Sequence, residues 1–196
     1  MKNQQEKCFF DGKETAMKKL KKALTQDMVD EKIISLLDII NQSDEFYTSS
    51  SCAGRIVLLQ IPEIGDKKNA MFLGKWHRTI ESPELLSAVK KAKKGQLWLL
   101  AQSPIIHITA KTSLDAEKML KTAISCGFKN SNLKSIGKKT VLEICSTERL
   151  DAPIGKNATL FCNDEHLTLL IDISNDVIKK SNFKLAKLQK ELKKKI

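Results

Sequence analysis

Apolar residues recur at helical spacing in five stretches of the chain. Met17, Leu20, Ala23 and Leu24 share one face, with lysines on the other. Val29, Ile33, Leu36, Leu37 and Ile40 form a second stripe, and Asp30, Glu31 and Lys32 occupy its exposed first turn. Ser82-Pro83 predicts a third helix start, with Ser as N-cap and Pro at the first helical position. Leu85, Leu86 and Val89 are its stripe. Ser113 predicts the cap of a fourth, with Asp115 and Glu117 near its positive end and Gly127 as its stop. From about residue 164 onward, Leu167, Leu170, Ile171, Val177, Ile178, Leu185, Leu188 and Leu192 predict one long helix or two. Between the helices lie strand-like runs at 55–61, 70–76, 97–101, 105–109 and 140–145.

This order predicts an α+β (mixed α/β) protein: a single domain over 1–196, with a mixed β-sheet packed by helices and a long C-terminal helix. No strand runs into GxGxxG and no GxxxxGK[ST] is present, so a Rossmann-type or P-loop fold is not expected.

Composition narrows the picture. The 196 residues are 41% hydrophobic and 29% charged, which fits a folded chain with a proper core. No apolar run approaches the ~20 residues of a membrane span. The first residues do not read as a secretory signal, so none is expected, and neither is a location other than the cytoplasm. Five cysteines without a CxxC pair and three scattered histidines predict neither a disulfide framework nor a metal site. The net charge of +11 suggests a polyanionic partner such as nucleic acid. Lysines crowd 13–22, 90–94 and 179–195.

Candidate chemistry concentrates in a few places. Thr48, Ser49, Ser50 and Ser51 precede Cys52, Ala53, Gly54 and Arg55. This reads as a turn, because hydroxyl side chains compete for backbone hydrogen bonds. Only three of the 34 basic residues are arginines, and the fork of Arg55 suits a carboxylate or phosphate. Cys52 is a candidate nucleophile or a packing residue. His77 ends one strand-like run, and His107 sits within another, on the face opposite Ile106 and Ile108. Both can take a proton near neutral pH. Gly127 to Ser131 is either a helix stop or a ligand loop using Asn130 and Ser131. Trp76 and Trp98 are core residues or base-stacking platforms. A hydrolase using Cys52 or a serine is conceivable, although no GxSxG elbow is present.

The segment 48–56, His77, Pro104-Ile105-Ile106-His107-Ile108, Ala123-Ile124 through Gly127-Phe128-Lys129-Asn130-Ser131, Ser146-Thr147 and Pro153 together resemble the tRNA wybutosine-synthesis methyltransferases that act on 4-demethylwyosine. The resemblance covers nearly the whole chain. Ser103 departs from it, standing where eukaryotic members have an acidic residue, which leaves any role of that acid unfilled or moved. Length and lysine content look like an archaeal stand-alone member. The resemblance implies methyl transfer from S-adenosylmethionine to a ring nitrogen of the tricyclic base beside the tRNA anticodon. It also implies a fold unlike Rossmann-type methyltransferases. Under it, His77 or His107 orients the acceptor base or takes its proton. Ser49, Ser50, Ser51, Gly54, Arg55, Asn130 and Ser131 are expected around the cofactor. Whether Arg55 holds cofactor or tRNA stays open. The alternative is a non-catalytic tRNA-binding module that reads a modified base.

Overall fold

Every strand pair in the computed structural model is antiparallel, and the strands fall into two sheets. The structure describes residues 2–195, with side chains from residue 6. The α+β class stands, but the expected single mixed sheet does not.

Two compact units are formed, one from Met1–Ala53, Pro104–Thr147 and Asn182–Ile196, the other from Gly54–Ser103 and Glu148–Ser181. In the first, β1 (Phe46–Cys52), β5 (Ile105–Ala110), β7 (Thr140–Cys145) and β6 (Asn132–Ser135) make a four-stranded sheet in that order. Its core joins Ile106 and Ile108 of β5 and Leu142 and Ile144 of β7 to Ile33, Leu36, Leu37 and Ile40 of α2 (Glu31–Gln42). Met119 and Ala123 of α4 (Ser113–Ser125) and the fully buried Phe128 complete it. Each such large side chain contributes about 1.5–3 kcal/mol by leaving water. Helix α1 (Lys2–Thr25) touches β1 through Phe9, whose ring lies 5.2 Å from that of Tyr47. Gly12 lets the helix come close there, since a Cβ would strike the Tyr47 hydroxyl.

In the second unit, β3 (Met71–Trp76), β2 (Arg55–Ile61), β4 (Gln96–Gln102), β8 (Arg149–Lys156) and β9 (Thr159–Leu160) form the other sheet. Its core takes Ile56 and Leu58 from β2, Leu97 and Leu99 from β4, and Leu85 from α3 (Ser82–Val89). The last helix, α5 (Asp164–Leu192), is one continuous element. Its residues Leu167 to Ile178 enter this core, and Leu185, Leu188 and Leu192 enter that of the first unit. Buried Ser174 and Ser181 donate to the carbonyls four residues earlier, so neither hydroxyl is left without a bond.

Three local expectations change. The hydroxyl run is strand, not turn: 46–52 pair with β5, and only Ala53-Gly54 turn the chain into β2. The serines sit on an edge strand, where half the positions point away from the core and a short polar side chain is tolerated. Both helix starts shift by one residue. Glu81 caps α3 in a reciprocal arrangement with Glu84, and Thr112 caps α4 by accepting from the Asp115 N–H. Among the described residues, no helix is long and apolar enough to cross a membrane.

Candidate functional site

Alternation in the four-stranded sheet turns Ile106 and Ile108 to the core, and His107 to the opposite face. His107 is registered with Ser50 on β1 and Glu143 on β7. An irregularity between Thr48 and Ser50 leaves Ser49 outside the ladder and brings Ser50, rather than Ser49, opposite the histidine. The hydroxyl of Ser50 lies 2.9 Å from His107 Nδ1, and His107 Nε2 lies 3.1 Å from Glu143 Oε2. The other carboxylate oxygen, Oε1, is 2.8 Å from Lys134 Nζ.

The proton positions follow from this network. The Lys134 hydrogen bond, opposed by partial burial and aided by His107, holds the Glu143 carboxyl below the usual carboxylate range. An ionised carboxylate only accepts, so Nε2 carries the hydrogen in neutral His107. Nδ1 is then the acceptor, and Ser50 donates to it. Glu143 and Lys134 escaped the sequence reading. Their signal was available only through register: Glu143 is the fourth residue of a strand whose alternate members, Leu142 and Ile144, are apolar.

The other predicted residues of this unit take different places. The Ser49 hydroxyl is exposed, 3.5 Å from the His107 carbonyl. Ser51 is registered with core-facing Ile106, on the other face. Ser131 donates to the Phe128 carbonyl at 2.7 Å and accepts from the Cys145 N–H at 3.1 Å, so its hydroxyl ties the α4 exit to the end of β7. Asn130 is exposed, with its N–H on the Cys145 carbonyl. Asp30, read as an exposed residue of a first helical turn, is half-buried and accepts from the Ala53 N–H at 2.8 Å. A cavity of about 690 Å³ opens between α1 and the sheet face that carries His107. Ser49, Tyr47 and Thr109 line it together with Lys7, Lys19 and Lys139.

In the second unit, Gly54 turns the chain with φ 96°, a region that strongly favours glycine. Arg55 follows on β2. Its Nε donates to Gln102 Oε1 at 2.8 Å, and its guanidinium carbon lies 5.6 Å from the centre of the Phe72 ring. The other two arginines have carboxylates: Arg78 holds Glu84 through two bonds of 2.6 and 3.1 Å, and Arg149 pairs with Asp151. Among the described residues Arg55 has no carboxylate partner, which leaves its Nη edge for an anion. His77 is half-buried and directly follows β3.

Known proteins place this arrangement in context. Residues 11–194 match the family model described as "Methyltransferase TYW3". A Pyrococcus horikoshii protein named tRNA(Phe) 7-((3-amino-3-carboxypropyl)-4-demethylwyosine(37)-N(4))-methyltransferase 1 is 46% identical over 185 residues, 94% of each chain. A Methanocaldococcus jannaschii protein with the same enzyme name, without the numeral, is 38% identical over 88% of this chain and 91% of its own. A solved Pyrococcus horikoshii structure superposes with TM-score 0.92 at 45% identity, covering 96% of this chain and 98% of that one. A solved Aeropyrum pernix protein follows at TM-score 0.73 and 26% identity, covering 84% and 98%.

Proposed function

We propose that this chain, which belongs to the methyltransferase TYW3 family, methylates a ring nitrogen of the 4-demethylwyosine-type base beside the anticodon of tRNA(Phe). It is then an enzyme of wybutosine or wyosine-derivative synthesis, with both units serving one methyltransferase domain over 1–196. Its substrate would place it with cytoplasmic tRNA.

The observation that carries the mechanism is the chain of hydrogen bonds from Ser50 through His107 to Glu143. Methylating a ring N–H forms an N–C bond and releases the nitrogen's proton, so a base must receive it. Nδ1 of His107 has the lone pair for that, and the Ser50 hydroxyl is its entry. The acceptor's proton passes to Ser50 Oγ as the serine's own proton moves to Nδ1. Glu143 then faces an imidazolium, whose charge it stabilises. A positioned general base of this kind contributes about 10²–10⁴-fold. Alignment of donor and acceptor and exclusion of water supply the rest.

S-adenosylmethionine would supply the methyl group from a sulfonium and leave as a neutral thioether. The cavity under α1 fits a donor of that size, since ligand sites run to about 300–1,000 Å³ and this one is about 690 Å³. Ser49 and the Tyr47 edge would hold its polar groups and one of the cavity's lysines its carboxylate, whereas Ser51 lies on the sheet's other face and the Ser131 hydroxyl is committed to Phe128 and Cys145. Arg55 is an anion site for donor or RNA.

The test is incubation of the full chain with labelled S-adenosylmethionine and tRNA carrying the demethylated precursor. Label appears on the tRNA if the reading holds. No label on a precursor that a known family member methylates would defeat it. A Ser–His–acid order also occurs in acyl-transfer enzymes. Ser50→Ala separates the two: a relay serine costs methyl transfer tenfold or so, whereas a nucleophile's loss would abolish hydrolysis. A mere tRNA-binding module would show no calorimetric affinity for S-adenosylmethionine.

A further inference from the structure

We infer that the outward face of the five-stranded sheet is a stacking platform for unpaired nucleobases of the RNA substrate, with Phe72 as its centre and Arg55 as its phosphate clamp. The inference rests on the tRNA reading above.

The face is built by register. Phe72 pairs with Leu59, Leu59 with Trp98, and Trp98 with Pro153, so one apolar row crosses four strands. Lys75 stands in the next row, beside Val57. Both helical segments of this unit send their buried residues to the core on the other face, Leu85 and Val89 from α3 and Leu167 to Ile178 from α5. No helix of the unit therefore covers the row.

Phe72 is the anomaly. A strand bulge between its pairing and that of Gly74 sets Leu73 into the core, 6% exposed, and swings Phe72 outward, 57% exposed. Regular alternation from Gly74 and Trp76 would have turned Phe72 inward, and bulges are a way to re-aim a side chain. A large ring turned to water at a hydrophobic cost marks a binding surface when it stands in a contiguous apolar row.

Arg55 supplies the charge. It lies four residues from Leu59 along β2, yet its guanidinium reaches within 5.6 Å of the Phe72 ring centre. The two side chains lean together across Val57, which is fully buried. Gln102 fixes the Nε, so the fork is oriented and its Nη edge remains free. An aromatic ring on an open antiparallel sheet, flanked by an arginine and a lysine, is the chemistry that holds splayed RNA bases and their phosphates. A peptide partner with acidic groups would meet the same cations, but would not use the ring face for stacking.

The test uses the full chain and a short RNA stem–loop with the tRNA(Phe) anticodon sequence, carrying 2-aminopurine in the loop, followed by fluorescence and anisotropy. Wild type quenches the probe on binding. Phe72→Ala weakens binding about tenfold and abolishes the quenching, since stacking is worth roughly 1–3 kcal/mol per base. Phe72→Tyr, which keeps the ring, binds within about threefold of wild type, and far-UV circular dichroism confirms that this exposed position leaves the fold unchanged. Binding of Phe72→Ala within twofold of wild type, with quenching retained, overturns the platform alone. A wild type that binds no such RNA overturns the platform and the tRNA reading together. Calorimetry with S-adenosylmethionine should be unchanged in Phe72→Ala; a lost donor affinity would overturn the assignment to RNA.

Discussion

In the four-stranded sheet, the face turned from the core carries Ser50, His107 and Glu143, and each bonds the next. In the five-stranded sheet, the same kind of face carries Leu59, Phe72 and Trp98, with Arg55 above a ring. In both sheets alternate residues are spent on a helix-packed core, and in the first sheet α1 also covers part of the other face, at Tyr47. What differs is the use of the residues left over. A polar relay needs exact donor–acceptor complementarity, and each member there has its partner. A stacking surface needs open area, and its most exposed ring carries a guanidinium beside it. Each sheet also carries an irregularity beside these residues, at Ser49 and at Leu73, and each of the two sets a residue that function needs.

The contrast can be broken most sharply at His107. His107→Ala should lower methyl transfer by about 10²–10⁴-fold, the worth of a general base, in a labelled-methyl assay. RNA affinity in the same variant should stay within twofold, which separates the relay from the platform. Glu143→Gln comes next, with a loss of roughly tenfold or more in turnover, since the amide no longer stabilises an imidazolium. It also has a stability signature. The Glu143 carboxyl is depressed by Lys134, so its contribution is fully present above the unfolded value of about 4.3 and is lost as pH falls through the lower folded value. Urea denaturation should show Glu143→Gln less stable by about 1–2 kcal/mol near pH 7, with the difference shrinking below about pH 4.

Arg55→Lys should weaken anticodon stem–loop binding about five- to tenfold, because an ammonium cannot clasp a phosphate through two bonds or stack as a plane. A turnover loss at saturating RNA would shift Arg55 toward the donor. The smallest effect belongs to the lysine patches. Replacing one of Lys90, Lys91, Lys93 or Lys94 with Ala should weaken binding two- to threefold and reduce the salt slope by about one at most.

Much of this was legible along the chain. The helical stripes at 33–40 and 167–192 named the residues that are buried, because a helix face is set by local spacing alone. His107 was recognisable as outward by alternation with Ile106 and Ile108. The run 48–51 misled, since hydroxyl side chains favour turns locally, and only pairing with β5 makes them strand. Strand 149–156 also went unseen, because Pro153 and Gly155 mask its pattern. Local pattern by itself determined the helices, most strands and the class of chemistry. Tertiary pairing alone decided that Ser50 meets His107, that Glu143 completes the relay, and that Phe72 faces out. Register between strands distant in sequence, and a single bulge that flips a side chain, are set by the assembled sheet and leave no mark on either strand read alone.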